Sequence, residues 1–432
     1  MTDKSSASLN FMRVSPGSRG AYVIVSLGVN VLFLARGYFS MLVLDYRQLG
    51  LLAILQTVMA LVTAMHFGLL SGGYRRLCSE SGDSALEINT VVNSFMALLG
   101  IAVLLVGIIV IGFGSWSLVM GFALMGAVVG VLTLLRSWIT NQLLATGSLY
   151  KLNVANVKAI VISFMPLSLI SLAPLSACVV SVVLYPISFI LLSWRAQPEL
   201  RPRSFGCSVP LLRSLMQSGF LLFMTGVFMQ LIVQAERWYV VTFLGLESLG
   251  RLYLAIMFVT VFQIVPTTLD NVVLPRLVKN YESGNFFAAR EELRRLFGLC
   301  FGYCFVALIL VWMLAELVIK LILPRYVGDL QYVYLMMPGL ILLALAGPFG
   351  IVFSVLIRHK AYMVAYGGGF VGALVVFGFS AAQGGTLDLQ GVASARSVVL
   401  AVIALLLVGL YFRTAHYFPA LAMHRMSDGR PS

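Results

Sequence analysis

Charged and amide side chains set inside long apolar runs are the residues of this chain whose types and spacing could do chemistry. At 100° per residue, Ser26, Asn30, Arg36, Gly37 and Ser40 fall within an arc of about 120° on one helix. Gly226, Gln230, Gln234 and Arg237 form a second stripe, and Gln263, Thr267, Asp270 and Asn271 a third around Pro266. Lys151, Ala155 and Lys158 share a further face, with Asn153 and Asn156 nearby, and Glu316 and Arg396 stand inside other apolar runs. An ionisable group facing lipid is expensive, so these residues should face a wet groove or one another. Arg can grip an anion with a two-toothed fork, Lys as a point charge, and amides add adaptable hydrogen bonds. Asp270 and Glu316 offer carboxylates that could couple an ion.

Each candidate has a structural competitor. Arg36 could pair with an acid such as Glu316, Lys158 could snorkel to headgroups, and Arg396 could be interfacial. Glu236 and Arg237 are adjacent and suit an ion pair, Asp270 suits an interhelical hydrogen bond, and His66 suits packing better than proton relay.

The elements that hold these residues follow from composition. The 432 residues are 60% hydrophobic and 10% charged, with mean hydropathy +0.98, where soluble domains carry about 25% charge. A membrane span needs about 20 apolar residues, and windows of that kind lie near 20–44, 51–73, 88–112, 116–137, 152–172, 177–194, 213–236, 250–273, 296–321, 331–356, 361–381 and 391–412. The expected fold class is therefore an all-α integral membrane protein with twelve transmembrane helices. A closed barrel would show short alternating segments instead.

With twelve spans both tails share a side. Of the 29 Lys and Arg residues, 22 fall on that side, 5 on the other, and Arg36 and Arg396 within spans. The positive-inside pattern puts both termini in the cytoplasm, so the net charge of +13 describes topology and gives no reason to expect nucleic acid. The polar start, Met1 to Arg19, leads into a span too long for a signal-peptide core, so no cleavage is expected. Trp116, Trp138, Trp194 and Trp238 fall at expected span ends and read as interfacial anchors. Cys78, Cys178, Cys207, Cys300 and Cys304 form no CxxC and read as small buried hydrophobes. Gly367 to Gly372 matches GxGxxG, but inside a span it reads as close helix packing. No pattern asks for a cofactor or a metal.

The Pro- and Arg-rich stretch from Arg195 to Ser204 divides the chain into an N-terminal bundle (1–194), a linker (195–212) and a C-terminal bundle with its tail (213–432). Leu49-Gly50 recurs as Leu249-Gly250, Arg76-Leu77 as Arg276-Leu277, and Glu80-Ser-Gly-Asp83 as Glu282-Ser-Gly-Asn285. Together these echoes favour duplication. An even number of spans per half makes the repeats parallel, and such halves commonly rock around a midplane site.

The run from Ala35 to Gly50 resembles the opening of polysaccharide flippases of the multidrug/oligosaccharidyl-lipid/polysaccharide exporter superfamily. So do Glu236 to Gly245, Leu249 to Ala255, Leu274-Pro-Arg-Leu277 and Ile322 to Asp329. The resemblance implies two six-helix bundles in a V around a central cavity. It also implies movement of an undecaprenyl-diphosphate-linked oligosaccharide repeat unit from the cytoplasmic to the periplasmic leaflet of the bacterial inner membrane. The process served would be surface polysaccharide synthesis, O-antigen or exopolysaccharide, beside a polysaccharide polymerase machinery. The protein would then be no enzyme. On this reading Asn30, Arg36, Lys158, Gln230, Gln234, Arg237, Gln263 and Arg396 bind phosphate and sugar in the cavity, and Asp270 and Glu316 are the ion-coupling candidates. The drug-exporting branch often has an acid in span one, where this chain has Arg36. The rivals are a cation-coupled drug or small-molecule antiporter of the same superfamily and an O-antigen polymerase or ligase. The latter generally carries a large periplasmic loop, and the outer loops here are short.

Overall fold

The computed structural model describes residues 19–78, 80, 82–112, 117–202, 206, 208–356 and 359–415. Among these residues there is no strand, and thirteen α-helices follow one another: α1 (Arg19–Val43), α2 (Tyr46–Thr63), α3 (Leu69–Leu77), α4 (Asp83–Gly112), α5 (Leu118–Ala145), α6 (Leu149–Phe164), α7 (Pro174–Ala196), α8 (Val209–Tyr239), α9 (Leu246–Glu282), α10 (Phe286–Ile322), α11 (Leu330–Val355), α12 (His359–Ala382) and α13 (Leu389–Ala415). Twelve helical segments are long and apolar enough to cross a membrane, which matches the all-α, twelve-span expectation. Within a bilayer the helix is the element that satisfies every backbone group internally, which is why apolar windows of this length all become helices.

Several boundaries move for local reasons. Helix α2 starts after a two-residue break because Asp45 caps it: Gln48 N donates to Asp45 Oδ1 at 2.7 Å and Asp45 N donates to Gln48 Oε1 at 3.3 Å, a capping box. Helix α10 begins at Phe286, well before the apolar window, because a charged turn with Arg295 paired to Glu291 at 3.2 Å continues it. Gly82 and Gly284, which correspond in the echoed stretches, are both left-handed, with φ of 67° and 75°. Pro166 converts the end of span five to a 3-10 turn, Met165–Leu169, because proline removes a helical donor.

The second span is broken. Helix α2 stops at Thr63 and α3 starts at Leu69, with Phe67 at φ 46° and Gly68 at φ 84° between them. A Cβ on Gly68 would meet the backbone of Gly219 and Phe220, and one on Gly72 the main-chain oxygen of Leu215. Helix α3 thus lies backbone to backbone on α8, and Arg76 Nη2 donates to Ser214 Oγ at 2.6 Å across the same contact. Phe67 takes a left-handed conformation that costs a non-glycine residue energy, and its ring stands edge-on to Phe95 at 6.3 Å.

Trp138 is not an interfacial anchor. It is fully buried, because α5 runs on to Ala145 instead of ending near 137. Its Nε1 donates to Asn89 Oδ1 at 2.9 Å, an oxygen that also accepts from Gln142 Nε2. Asn93 Nδ2 donates to the same oxygen at 2.7 Å. Trp238 is partly exposed, and Trp116 lies outside the described residues. Cys178, Cys300 and Cys304 are buried as expected, Cys78 is exposed, and Cys207 lies outside the described residues. In the glycine run of α12, a Cβ on Gly368 would strike Leu406 of α13, so close packing accounts for that position, whereas Gly372 has open space around it.

Contacts divide the chain into two units: Met1–Arg237 with Leu244–Tyr253, and Trp238–Phe243 with Leu254–Ser432. The first unit holds two apolar clusters, one around Leu152, Tyr185 and Phe189 and one around Leu69, Trp138 and Leu215. The second has its own cluster around Leu296, Cys300 and Ile351. There α11 and α13 approach closely at Gly339, whose N–H donates to Ser397 Oγ at 2.9 Å.

Candidate functional site

The polar residues of the first unit come from seven helices, α1, α2 and α5 to α9. Arg36, on α1, is half-buried, and its Nη1 donates to the Ser181 carbonyl of α7 at 3.2 Å. Its guanidinium stands 5.0 Å from the centre of the Phe33 ring. Ser40, one turn further, donates to the Arg36 carbonyl at 3.0 Å and lies 3.5 Å from Cys178 Sγ. The Arg36 charge is also felt by Tyr185 and by Tyr253 of α9. Tyr253 is buried and accepts from Gln56 Nε2 of α2 at 3.2 Å.

Phe33 and Tyr185 meet edge to face at 4.7 Å. Arg136 of α5 lies over the other ring, 4.7 Å from the Tyr185 ring centre and 5.5 Å from that of Phe189. Two guanidiniums therefore bracket one aromatic pair. Among the described residues neither Arg36 nor Arg136 has a carboxylate in salt-bridge range, and Arg136 Nε is buried without a hydrogen-bond partner. Stacking on aromatic faces holds the cations in place and leaves most of their N–H donors uncommitted. Tyr185 OH donates to Asn156 Oδ1 at 3.2 Å, adding an amide to the same surface.

The α8 stripe lies in the same unit. Arg237 Nη1 donates to Thr57 Oγ1 at 3.2 Å, and Gln234 Nε2 to Gln230 Oε1 at 3.3 Å. Gln234 and Glu236 are almost fully buried, at 2% and 1% exposure, and Gln234 has a side-chain oxygen without a hydrogen-bond partner. The Arg237 charge is felt by Tyr253, as is that of Arg36. Asn30 is half-buried on the Arg36 face of α1.

The remaining candidates stand elsewhere. Lys158 is exposed and lines a separate surface pocket with Lys151 and Arg195. Gln263 and Arg396 belong to the second unit, the first half-buried and the second 3% exposed. Asp270 falls within α9, and its side chain lies outside the described residues. Glu316 is not the deep carboxylate expected from the apolar run around it. It sits on an exposed face of α10 with its Oε1 2.5 Å from Lys320 Nζ, so it is not the partner of Arg36. His66 is half-buried in the break of span two, where its Nδ1 accepts from Gly68 N at 3.2 Å and its ring meets Phe223 at 5.2 Å. These contacts make it a packing residue of the break.

Arg136, Tyr253, Gln56 and Thr57 are the members that sequence reasoning missed. Arg136 was expected at the end of span four, and the signal against that is the helical, half-apolar continuation Trp138-Ile-Thr-Asn-Gln-Leu-Leu144 beyond it.

Comparison with solved structures places this arrangement on a known scaffold. The chain superposes on an inward-facing multidrug resistance MATE family transporter of the MOP superfamily with a TM-score of 0.69, at 14% identity over 92% of this chain and 98% of that one. The fold is that of MATE and MurJ transporters. The lipid II flippase MurJ in an inward closed conformation matches with a TM-score of 0.66, at 13% identity over 95% of this chain and 93% of that one. A MOP superfamily transporter from Pyrococcus furiosus matches at 0.64, with 14% identity over 96% and 99% of the two chains; a reverse polarity of its binding pocket is taken to suggest a different function. No protein-family model and no curated protein matches the sequence significantly. On this scaffold the chain is a multi-pass membrane protein, and its first unit presents guanidinium and amide groups.

Proposed function

We propose that the protein is a flippase that carries a phosphate-bearing, lipid-linked oligosaccharide across the membrane by alternating access. The substrate class is an undecaprenyl-diphosphate-linked repeat unit of a surface polysaccharide, taken from the cytoplasmic to the periplasmic leaflet of the bacterial inner membrane. A diphosphate and its sugars cannot cross hydrocarbon unaided, because their charges and hydroxyls would lose water.

The observation that carries this reading is the pair Arg36 and Arg136, held against Phe33 and Tyr185 without a carboxylate in salt-bridge range among the described residues. An uncompensated guanidinium in a low-dielectric setting is costly, and an anionic cargo relieves that cost. Gln56, Asn156 and Gln230 supply half-buried amides suited to sugar hydroxyls. A doubly negative head moving outward would gain about 4 to 5 kcal/mol at about 100 mV, from about 2.3 per charge, so the membrane potential can drive the step without a nucleotide. The positive-inside distribution of cations supports an orientation with both termini in the cytoplasm.

The likeness to a multidrug MATE transporter supports a second reading, a cation-coupled drug antiporter. A cationic drug would be repelled by Arg36 and Arg136, which favours the flippase.

The test is the fate of lipid-linked intermediates in a deletion strain. Complete repeat units should accumulate on the cytoplasmic leaflet, and Arg36→Glu protein that reaches the membrane should fail to clear them. Units reaching the periplasm unpolymerised, or a strain whose sole phenotype is drug sensitivity, would overturn the reading.

A further inference from the structure

Helices α6 and α7 pack against each other in the first unit, and between their polar ends lies a pocket of about 270 Å³ lined by Tyr150, Lys151, Val154, Lys158, Leu192 and Arg195. We propose that this pocket binds the phosphate headgroup of an anionic membrane phospholipid, at a site distinct from the Arg36 and Arg136 cluster. The proposal goes beyond the transport reading and does not depend on it.

Three cations converge there. Lys151 and Lys158 are two helical turns apart on one face, about 10 Å along the axis, which two extended side chains can span to reach one phosphate. Arg195, from the last turn of α7, adds the fork that suits phosphate oxygens. Among the described residues none of the three makes a salt bridge with a carboxylate.

Helix α6 starts at the pocket, with Tyr150 and Lys151 in its first turn and no side-chain cap from Ser148. Leu149 N and Leu152 N donate to the Gly147 and Ser148 carbonyls, so the helix start contributes chiefly its positive dipole end to the attraction for an anion.

The rest of the pocket is aliphatic, through Val154 and Leu192, and exposed apolar side chains continue along the same two helices at Val157, Val161 and Leu191. A water-soluble phosphate has no use for such a wall, whereas an acyl chain does. Basic pockets between spans on the cytoplasmic side of membranes are suited to anionic headgroups for this reason.

The full-length protein in phosphatidylcholine nanodiscs, titrated with fluorescent phosphatidylglycerol and read by energy transfer, tests the proposal. The triple variant Lys151→Gln, Lys158→Gln, Arg195→Gln should weaken phosphatidylglycerol binding at least about ten-fold, each cation near a membrane surface being worth about five-fold. An equal loss of charge through Arg213→Gln, Arg290→Gln and Arg294→Gln should leave it unchanged. Should the triple variant fail to fold, Lys158→Gln alone, at an exposed position, should cost about five-fold. Labelled phosphatidylcholine should not bind, and added inorganic phosphate should not displace phosphatidylglycerol. Unchanged binding in the pocket variants, equal weakening in the charge control, or displacement by inorganic phosphate would overturn the proposal. Because the readout is lipid binding and not polysaccharide export, its failure is separable from failure of the flippase reading.

Discussion

Gly50 and Gly250 face each other's helices in a reciprocal crossing: a Cβ on Gly50 would meet the main-chain oxygen of Leu246, and a Cβ on Gly250 that of Tyr46. Each glycine meets the residue four positions before the other, so one contact is made twice. Such self-complementary geometry is what a two-fold relation between repeats produces, and it joins the Leu-Gly echo in the sequence to a physical contact. Arg251 extends the crossing, with its guanidinium 5.5 Å from the centre of the Tyr46 ring.

The first prediction follows from that crossing. Gly50→Ala or Gly250→Ala must push the two helices apart, at about 1 to 3 kcal/mol for overpacking. The double variant should cost less than the two singles combined, since the first methyl already opens the contact the second needs. Melting of the three purified variants checks both points.

Removing either cation of the aromatic bracket should impair transport without unfolding the protein. Arg36→Gln and Arg136→Gln should each lower restoration of surface polysaccharide in a deletion strain by an order of magnitude or more, at about 1.4 kcal/mol per factor of ten. Arg36→Lys should restore part of it, since charge returns without the fork. Full restoration by Arg36→Glu at normal membrane abundance would remove that residue from the mechanism.

Asn89 holds three donors with one oxygen, from Asn93, Trp138 and Gln142. Asn89→Leu would strand buried polar groups, each costing about 1 to 3 kcal/mol. A loss of several degrees in melting temperature is expected, with the Trp138 fluorescence shifted. Trp138→Phe, which removes a single donor, should cost less.

Hydropathy and charge distribution made the membrane class and the twelve helices legible, because a span needs little beyond about 20 apolar residues and internal hydrogen bonding. The echo of Glu80-Ser-Gly-Asp83 in Glu282-Ser-Gly-Asn285 was legible because it is local, while the Asp45 capping box, formed by residues three positions apart, was equally local and was passed over. Arg136 and Glu316 were misread because the side of a helix that a charge faces depends on neighbours far away in the chain.

Arg36 was conspicuous in the sequence as a charge in an apolar run, yet its surroundings come from Ser181, Tyr185 and Tyr253, more than a hundred residues on. The break at His66 to Gly68 likewise waits on α8, whose Gly219 lets the backbones touch. Local pattern determined which segments become helices, since backbone hydrogen bonds close within each one. Tertiary packing decided which cations lack a carboxylate partner and which are surface pairs, since burial and neutralisation are properties of the assembled bundle.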